Sequence, residues 1–342
     1  MNYEIVPEAL NKKGSCVKEH KYTLTIVIPY YNGKKFIERA IKSVNNQTIM
    51  ASELIVVNDG SKEDEKAYLY GLKDQYDFKI IDKENGGQGD ARNVGVNNAT
   101  TNFVCFLDQD DFYKMNHNEI LLAAIPPEPN NMGFIYADIS EADGDGNIIS
   151  TSMVKDHSSH PKVTVMECLR RDMFILPSAS LIKVSAFKSV GGFDTSFTGY
   201  EDDDLFLRLF RAGYEHIFLD QPVTVWCIHT ESTSYSVKMS KSRMKYLIKL
   251  MQMFPDEPAR GRYYFRELLI PRFQHLVIND YITAIKNNSK NKDELEKLFL
   301  NYYKMVISNL HVSKKEKLKL GVFMLMACHF PKRLFLIILR FR

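Results

Sequence analysis

Three aspartates end a hydrophobic run in the stretch NFVCFLDQDDFYK. Asp108, Asp110 and Asp111 follow residues 103–107, which the apolar pattern predicts to be a buried strand. Carboxylates this close together repel one another, and partial burial adds a desolvation cost. One explanation is a polar loop in which Asp110 or Asp111 caps the next helix. The other is a divalent cation, Mg²⁺ or Mn²⁺, which takes oxygen ligands and keeps positions open for a phosphate-bearing substrate.

Polar side chains also follow the strands predicted before this one. Pro29, Tyr31 and Asn32 end IVIPYYN, and Asp59 lies in VVNDGS. A tyrosine ring can stack on a nucleobase and a carboxylate can bind a base or a ribose, although Asn-Asp-Gly-Ser is also ordinary turn chemistry. The Gly-rich segment NGGQGDARN supplies Arg92, which suits a diphosphate. Neither G-x-G-x-x-G after the first strand nor G-x-x-x-x-G-K-[ST] is present, so a Rossmann dinucleotide site and a P-loop are not indicated.

A second acidic cluster opens a predicted helix in GYEDDDLFLRLFRAGY, at residues 201–204. The helix dipole favours acids in a first turn, and Asp204 and Arg208 form an i,i+4 pair, so part of the cluster is structural. A carboxylate near a cation-bound electrophile could instead serve as a general base. His229 follows a strand-like run in WCIHTESTS. A lone histidine is more typical of a packed core position than of a ligand.

The elements that must position these residues alternate from Lys21 onwards. Strands are predicted at LTIVIP, LIVVND, FKII and FVCFL, with helix-like segments between them. This alternation predicts an α/β fold with a parallel sheet, in which ligands collect at the carboxyl ends of the strands. MGFIYADI and NIISTS flank EADGDGN and predict a hairpin, whose DGDGN turn lacks the glycine and glutamate of a calcium loop. From about Ser236 helical periodicity replaces the strand pattern.

Seven stretches together resemble the motifs of family 2 glycosyltransferases of GT-A fold, such as those acting on bacterial cell-surface polysaccharides and teichoic acids. They occur in the family's order: VIPYYNGKKFIERAIKSVNNQT, ELIVVNDGS, NGGQGDARNVGV, FLDQDD, GGFD, GYEDDDLFLRLFRAGY and IHTESTS. The resemblance implies a Rossmann-like mixed sheet, the GT-A nucleotide-diphospho-sugar transferase fold, over residues 21–235. An extension over residues 1–20 precedes it, and a helical region over residues 236–342 follows.

The resemblance also implies roles for single residues on the nucleotide side. Tyr31 and Asp59 would hold the base, most often uracil, and Arg92 would lie close to the base and the diphosphate. Asp108 would bind ribose or help the metal. The full set implied to bind the nucleotide sugar is Pro29, Tyr31, Asn32, Asp59, Arg92 and Asp108.

The remaining implied roles concern the cation and the proton. Asp110 would be the main ligand to Mn²⁺ or Mg²⁺, and His229 would complete the metal or diphosphate site. Asp202 would be the catalytic base. Glu201 and Asp203 remain alternative bases, because this chain has Asp203 where the family often has an aromatic residue.

The implied reaction moves a sugar from a nucleotide sugar, most often a UDP-sugar, to a hydroxyl of a glycan, a teichoic acid or a lipid-linked oligosaccharide, with inversion at the anomeric carbon. Two alternatives remain. A sugar-1-phosphate nucleotidyltransferase would carry a Gly- and Arg-rich loop near its first strand, where this chain has IVIPYYNGKK. A non-catalytic scaffold would bind nucleotide sugar or glycan without turnover. The Q-x-x-R-W motif of processive membrane synthases is absent.

Composition sets further limits. With 45 Lys and Arg against 42 Asp and Glu, the net charge of +3 disfavours a nucleic-acid binder. Five scattered cysteines without C-x-x-C favour a reducing compartment, and no run of about 20 apolar residues occurs, so we expect a cytoplasmic protein.

The stretch SKKEKLKLGVFMLMACHFPKRLFLIILRFR is basic with two apolar runs. It predicts an anchor on the inner face of the cell membrane or, alternatively, a contact with the core or another subunit, including a homo-oligomer.

Overall fold

The structure is a computed structural model that describes residues 9–10, 16–17, 21–229 and 237–329. The short strands β1 (Ala9–Leu10) and β2 (Cys16–Val17) pair antiparallel. The rest of the expected N-terminal extension lies outside the described residues. So do the residues that follow His229 in the IHTESTS stretch, and the second apolar run of the basic tail.

Nine strands form one mixed sheet in the described residues. Their bounds are β3 (Leu24–Tyr30), β4 (Glu53–Asp59), β5 (Lys79–Lys83), β6 (Phe103–Phe106), β7 (Phe112–Tyr113), β8 (Met132–Asp143), β9 (Ile148–Ser150), β10 (Ser180–Lys183) and β11 (Glu215–Ile228). The order is β5-β4-β3-β6-β10-β8-β11-β7, with β9 paired to β8. This mixed α/β sheet confirms the fold class implied by the resemblance.

The parallel sheet predicted from the strand–helix alternation is confirmed for β3 to β6, and the strands after β6 make the sheet mixed. Strands β3 to β6 are parallel, but β10 is antiparallel to both β6 and β8, and β7 is antiparallel to β11. The reason is that regular alternation stops after β6. The chain there makes the two-residue strand β7 and then the β8–β9 hairpin, whose turn Asp143 closes by accepting the N–H groups of Asp145 and Asn147.

The direction of the strands brings distant residues to one edge. β8 runs the same way as β6, because both are antiparallel to β10, and β11 is parallel to β8. The carboxyl ends of β3, β4, β5, β6 and β11 therefore share an edge of the sheet. The residues at those ends are Tyr31, Asp59, Lys83, Asp108 and His229.

Helices cover the sheet in the first part of the chain. Their bounds are α1 (Ile37–Asn45), α2 (Glu63–Gly71), α3 (Gln88–Asn97), α4 (His117–Ala123), α5 (Val154–His157), α7 (Val184–Ser189) and α8 (Glu201–Arg211). The short helix α6 (Val165–Arg170) belongs from Met166 onwards to the second unit of the chain. Helix α3 packs closely on β3 at Gly95, where a Cβ would lie 2.3 Å from Val27 Cγ1. Glycine at this position therefore sets how near α3 lies to the sheet.

The chain divides into two compact units, and the second is helical. Met166–Asp172 and the residues from Thr233 onwards form the second unit. It contains α9 (Val237–Met253), a π-helical turn (Phe265–Leu269), α10 (Ile270–Lys286), α11 (Lys292–Ser308) and α12 (Lys314–His329). Aromatic rings fill its core, as where Tyr281 stacks on Phe299 with centroids 5.3 Å apart. The predicted C-terminal helical region is thus confirmed. No helix in the described residues is long and apolar enough to cross a bilayer.

His117 is a buried titratable group at the start of α4. Its ring stacks on Tyr113 with centroids 3.5 Å apart, and its Nδ1 lies 3.0 Å from Asn118 Oδ1. Burial lowers its pKa from the usual 6.5 to about 4. The folded protein therefore holds this imidazole neutral at a pH where the unfolded chain protonates it.

We expect the free energy of unfolding to fall as the pH drops from 6.5 towards 4, since only the unfolded state takes up the His117 proton in that range. The contribution is about 3 kcal/mol. Urea denaturation at a series of pH values measures it. His117→Phe should flatten the dependence in part, because His160, whose pKa is also lowered to about 4, contributes in the same direction. The exposed His275→Gln is the control, and an unchanged slope in His117→Phe would contradict the prediction.

Candidate functional site

The three aspartates after β6 lie in different environments. Asp111 is buried, and its Oδ1 accepts the Cys227 N–H of β11 at 2.9 Å. Its own N–H donates to the Asp108 carbonyl oxygen at 3.1 Å. Burial raises the pKa of Asp111 well above its usual value, and the charges of Asp110 and Asp108 add to the rise. Asp111 therefore fastens this loop to β11.

Asp110 and His229 lie together at the carboxyl edge of the sheet. His229 Nε2 is 2.6 Å from Asp110 Oδ2, and the imidazole stacks on the Phe36 ring with centroids 4.9 Å apart. Burial raises the pKa of Asp110, and the charge of Asp108 adds to the rise, while His229 opposes it. The structure thus brings together the two residues singled out as metal ligands.

This pair is a small ligand set. Within the described residues no group of three or more His, Cys, Asp and Glu side chains is arranged to hold a metal ion. Mg²⁺ is usually held by one or two protein carboxylates with water and substrate phosphates in its other positions, and Mn²⁺ accepts both oxygen and imidazole. Asp110 and His229 therefore fit an ion whose coordination a diphosphate completes.

Arg92 on α3 is buried between carboxylates from two different elements. Its Nη2 lies 2.5 Å from Asp108 Oδ1, and its Nη1 lies 3.6 Å from Glu201 Oε1. The guanidinium carbon is 5.2 Å from the centre of the Phe193 ring. Burial alone would lower the pKa of Arg92, but Asp108, Glu201 and Asp202 together raise it. Arg92 therefore bridges the end of β6 and the start of α8 as a permanent cation.

Asp108 also accepts a hydrogen bond from Gln88, one turn before Arg92 on α3. Gln88 Nε2 lies 2.7 Å from the same Oδ1 atom that Arg92 contacts. Gln88 was not among the candidates predicted from the sequence. Its position in GGQGDAR, four residues before Arg92, is the signal that would have placed it on the same face of the helix.

The last two acids of α8, Asp203 and Asp204, bind other parts of the protein. Asp203 is buried and its Oδ1 accepts the Met173 N–H at 3.1 Å. Asp204 is fully buried and its Oδ2 accepts Arg208 Nε at 2.8 Å, in the i,i+4 pair predicted from the sequence. The same arginine donates to the Gly192 carbonyl oxygen at 2.6 Å, which ties α8 to the GGFD loop.

Asp202 differs from its neighbours because it is only partly buried. The helix follows Tyr200, which adopts the left-handed conformation with φ of 68°, so the chain turns sharply into this first turn. Asp202 Oδ1 accepts the Asp203 N–H at 2.8 Å. Among the three candidate bases, Glu201 faces Arg92 and Asp203 faces Met173. Asp202 is the one with partial solvent access.

Asp59 at the end of β4 is almost fully buried and accepts three hydrogen bonds. Lys83 Nζ and the Gly86 N–H contact Oδ1 at 2.6 and 2.8 Å, and the Gly87 N–H contacts Oδ2 at 2.8 Å. Lys83 also pairs with Asp90 of α3 at 2.8 Å. Lys83 was not predicted from the sequence, because its position opposite Asp59 depends on the register of β4 and β5.

Tyr31 lies at the same edge with its side chain half exposed. Its N–H donates to Gln109 Oε1 at 2.9 Å, and Gln109 Nε2 donates to its carbonyl oxygen at 3.2 Å. A Cβ on Gly33 would lie 2.4 Å from the Gln109 side chain, so glycine there makes room for this contact. Gln109, the second residue of DQDD, thus fixes the β3–α1 loop, a role that the sequence did not reveal.

Asn32 and Pro29 build the loop and strand that carry Tyr31. The Asn32 N–H donates to Ser61 Oγ at 3.0 Å, and its Oδ1 accepts the Lys62 N–H at 3.0 Å. Pro29 lies inside β3 and is buried. Both residues therefore position the edge through contacts within the protein.

Comparisons with known proteins place the chain in a family. The model for glycosyl transferase family 2 matches residues 25–191, and a model described as the N-terminal domain of galactosyltransferase matches residues 176–233. A protein of Rickettsia prowazekii named as an uncharacterized glycosyltransferase is 30% identical over 223 residues, which are 64% of this chain and 68% of that protein. The chain belongs to glycosyltransferase family 2. This confirms the family predicted from the motifs.

Other relatives of this family 2 chain differ in length. An uncharacterized glycosyltransferase of Rickettsia conorii is 32% identical over 201 residues, which are 56% of this chain but 32% of the relative. The chain therefore matches only about a third of that protein's length.

Solved structures share the fold of this family 2 chain. Residues 1–349 of Staphylococcus aureus TarS, in complex with UDP, superimpose with a TM-score of 0.56 at 18% identity, over 83% of this chain and 81% of that one. The mannosyltransferase PcManGT from Pyrobaculum calidifontis, in complex with GDP-Man and Mn²⁺, gives 0.53 at 14% identity, over 96% and 86%. At these identities the likeness concerns the fold alone.

Replacing Arg92 tests the bridge between β6 and α8. We expect Arg92→Met to lower the free energy of unfolding by about 3–5 kcal/mol, because it leaves buried carboxylates without their cation. Glu201 is most affected, since its Oε2 is buried with no hydrogen-bond partner in the described part of the chain. Urea denaturation measures the loss.

A second substitution provides the control. Adding Glu201→Gln to Arg92→Met should recover part of the stability, because it removes one uncompensated charge. Lys66→Met breaks an exposed pair with Asp82 and should leave stability nearly unchanged. A double variant no more stable than Arg92→Met alone would contradict the bridging role.

Proposed function

We propose that this protein is an inverting, metal-dependent glycosyltransferase that moves a sugar from a UDP-sugar to a hydroxyl of a glycan, a teichoic acid or a lipid-linked oligosaccharide. The observation that supports this most is the convergence at one edge of the sheet. Asp110 and His229 lie 2.6 Å apart there, and Arg92 connects the same loop to the helix that carries Asp202. The proposed cation ligands and the proposed base thus belong to elements that Arg92 connects.

The proposal of a UDP-sugar as donor rests on the part of this edge that carries Asp59 and Tyr31, the residues proposed to bind the nucleobase. Two proteins of the same fold are in complex with UDP and with GDP-Man. A carboxylate offers about four acceptor positions, and Asp59 uses three for Lys83, Gly86 and Gly87. One position would remain for the imide N–H of a uracil, and the half-exposed Tyr31 ring would stack on the base.

In the proposed mechanism Asp110 and His229 would hold Mn²⁺ or Mg²⁺. The bound cation would stabilise the charge that develops on the leaving diphosphate. Asp202 would accept the proton of the acceptor hydroxyl as that oxygen attacks the anomeric carbon from the side opposite the diphosphate. The new bond forms as the bond to the diphosphate breaks, so the configuration inverts and no covalent enzyme intermediate is required.

The variant Asp202→Asn tests the proposed catalytic base. We expect kcat to fall by about 10²–10⁴-fold, because the amide cannot take the acceptor proton, while the Kd of the donor stays unchanged. Release of nucleoside diphosphate in the presence of acceptor measures turnover, and calorimetry measures donor binding. Asp203→Asn is the matched control, since its amide oxygen can still accept the Met173 N–H. Unchanged turnover in Asp202→Asn would contradict the assignment.

Removing the cation tests the other half of the site. Calorimetry with a panel of nucleotide sugars should show that one UDP-sugar binds with Mn²⁺ present, and that binding weakens by at least about tenfold with EDTA. Asp110→Ala and His229→Ala should each weaken the Mn²⁺-dependent binding in the same way, whereas the exposed Asp145→Ala should not. Failure of every donor to bind with the metal present would contradict the transferase proposal and favour a scaffold.

A further inference from the structure

Helix α12 is apolar on two sides. Its inner side contributes Leu320 and Phe323, which are buried, and the Phe323 ring packs edge-on against Phe299 of α11 with centroids 5.6 Å apart. This side anchors α12 to the second unit. A helix that used only one side for packing would be polar on the opposite side.

The outer side of α12 is instead apolar and exposed. Leu318, Val322 and Leu325, called here the outer row, are 68%, 46% and 52% exposed. At 100° per residue, positions i, i+4 and i+7 lie within about 60° of one another, so the three side chains form one strip. Ile307 and Leu310, just before α12, are exposed as well. Scattered apolar side chains are normal on a surface, but such a continuous strip is typical of an interaction site.

Positive charge accompanies the outer row. Lys314 lies one turn before Leu318 on the same side of the helix, and Lys315, Lys317 and Lys319 complete a group of four lysines at residues 314–319. The one acid in this stretch, Glu316, is used by the helix start. Its carboxylate accepts the Ser313 N–H at 3.2 Å and its own N–H donates to Ser313 Oγ at 3.2 Å. The lysines therefore carry a local excess of positive charge.

The sequence that follows α12 is basic and apolar as well. Residues 330–342, FPKRLFLIILRFR, contain four Lys and Arg, no acid, and otherwise apolar residues and one proline. Clustered lysines beside apolar side chains are complementary to a surface that offers phosphate groups outside and hydrocarbon beneath them.

We propose that the outer row and its lysines bind an anionic lipid surface, with α12 lying in the plane of the interface. The leucines and the valine enter the boundary between headgroups and acyl chains, and the lysines contact the phosphates. This binding does not depend on the proposed transfer reaction, so the test below uses no donor and no turnover.

Vesicle co-sedimentation of the full chain tests the proposal. We expect binding to phosphatidylcholine vesicles that contain about one-third phosphatidylglycerol, and little binding to phosphatidylcholine alone. The triple variant Leu318→Gln, Val322→Gln and Leu325→Gln should lower partitioning by about tenfold or more. Glutamine suits a helix, and circular dichroism confirms that the variant is folded. The matched control replaces three exposed apolar residues of the first unit, Met115, Ile149 and Val163, by glutamine and should bind like the unmodified chain.

Four outcomes of the co-sedimentation would overturn the proposal. They are no binding to the anionic vesicles, equal binding to neutral vesicles, unchanged binding by the folded outer-row variant, and an equal loss in the control. Sedimentation velocity without lipid tests whether the outer row binds a second copy of the chain. A dimer that dissociates when the outer row is replaced would assign this surface to a second copy of the chain instead.

Discussion

The buried guanidinium of Arg92 is the interaction on which the arrangement of the site depends. The carboxylates of Asp108, after β6, and of Glu201, at the start of α8, would repel one another where water does not screen their charges. The positive charge of Arg92 lies next to both and offsets this repulsion. Gln88 on the same helix adds a neutral donor. The site is therefore organised around α3, whose distance from the sheet is set by the contact of Gly95 with Val27.

The sequence predicted the elements well where the pattern was local. Strands β3 to β6, the β8–β9 hairpin and the helix that opens with the acidic cluster all lie where the periodicity indicated. The direction of the strands was harder to predict, because nothing in the four residues of β10 indicates that this strand lies antiparallel between β6 and β8. Such pairings depend on the whole chain rather than on the residues of one strand.

The same limit applies to the site. Asp110 and His229 are 119 residues apart and meet because the two-residue strand β7 pairs with β11, which no local pattern shows. Without the family resemblance, the histidine would have been taken for a core residue. Lys83 opposite Asp59 depends on strand register in the same way. The acids of α8 could not be told apart by type, and their contacts with Met173, Arg208 and Arg92 distinguish them only in three dimensions.

The contacts of Asp59 have a thermodynamic consequence. Its carboxylate is held by the backbone N–H groups of Gly86 and Gly87, which lead directly into α3, and by Lys83, which also pairs with Asp90 in the first turn of that helix. The strand end and the helix start are thereby fixed before any ligand arrives. A ligand that binds at this edge would find its partners already ordered, so little conformational entropy of the protein is lost on binding.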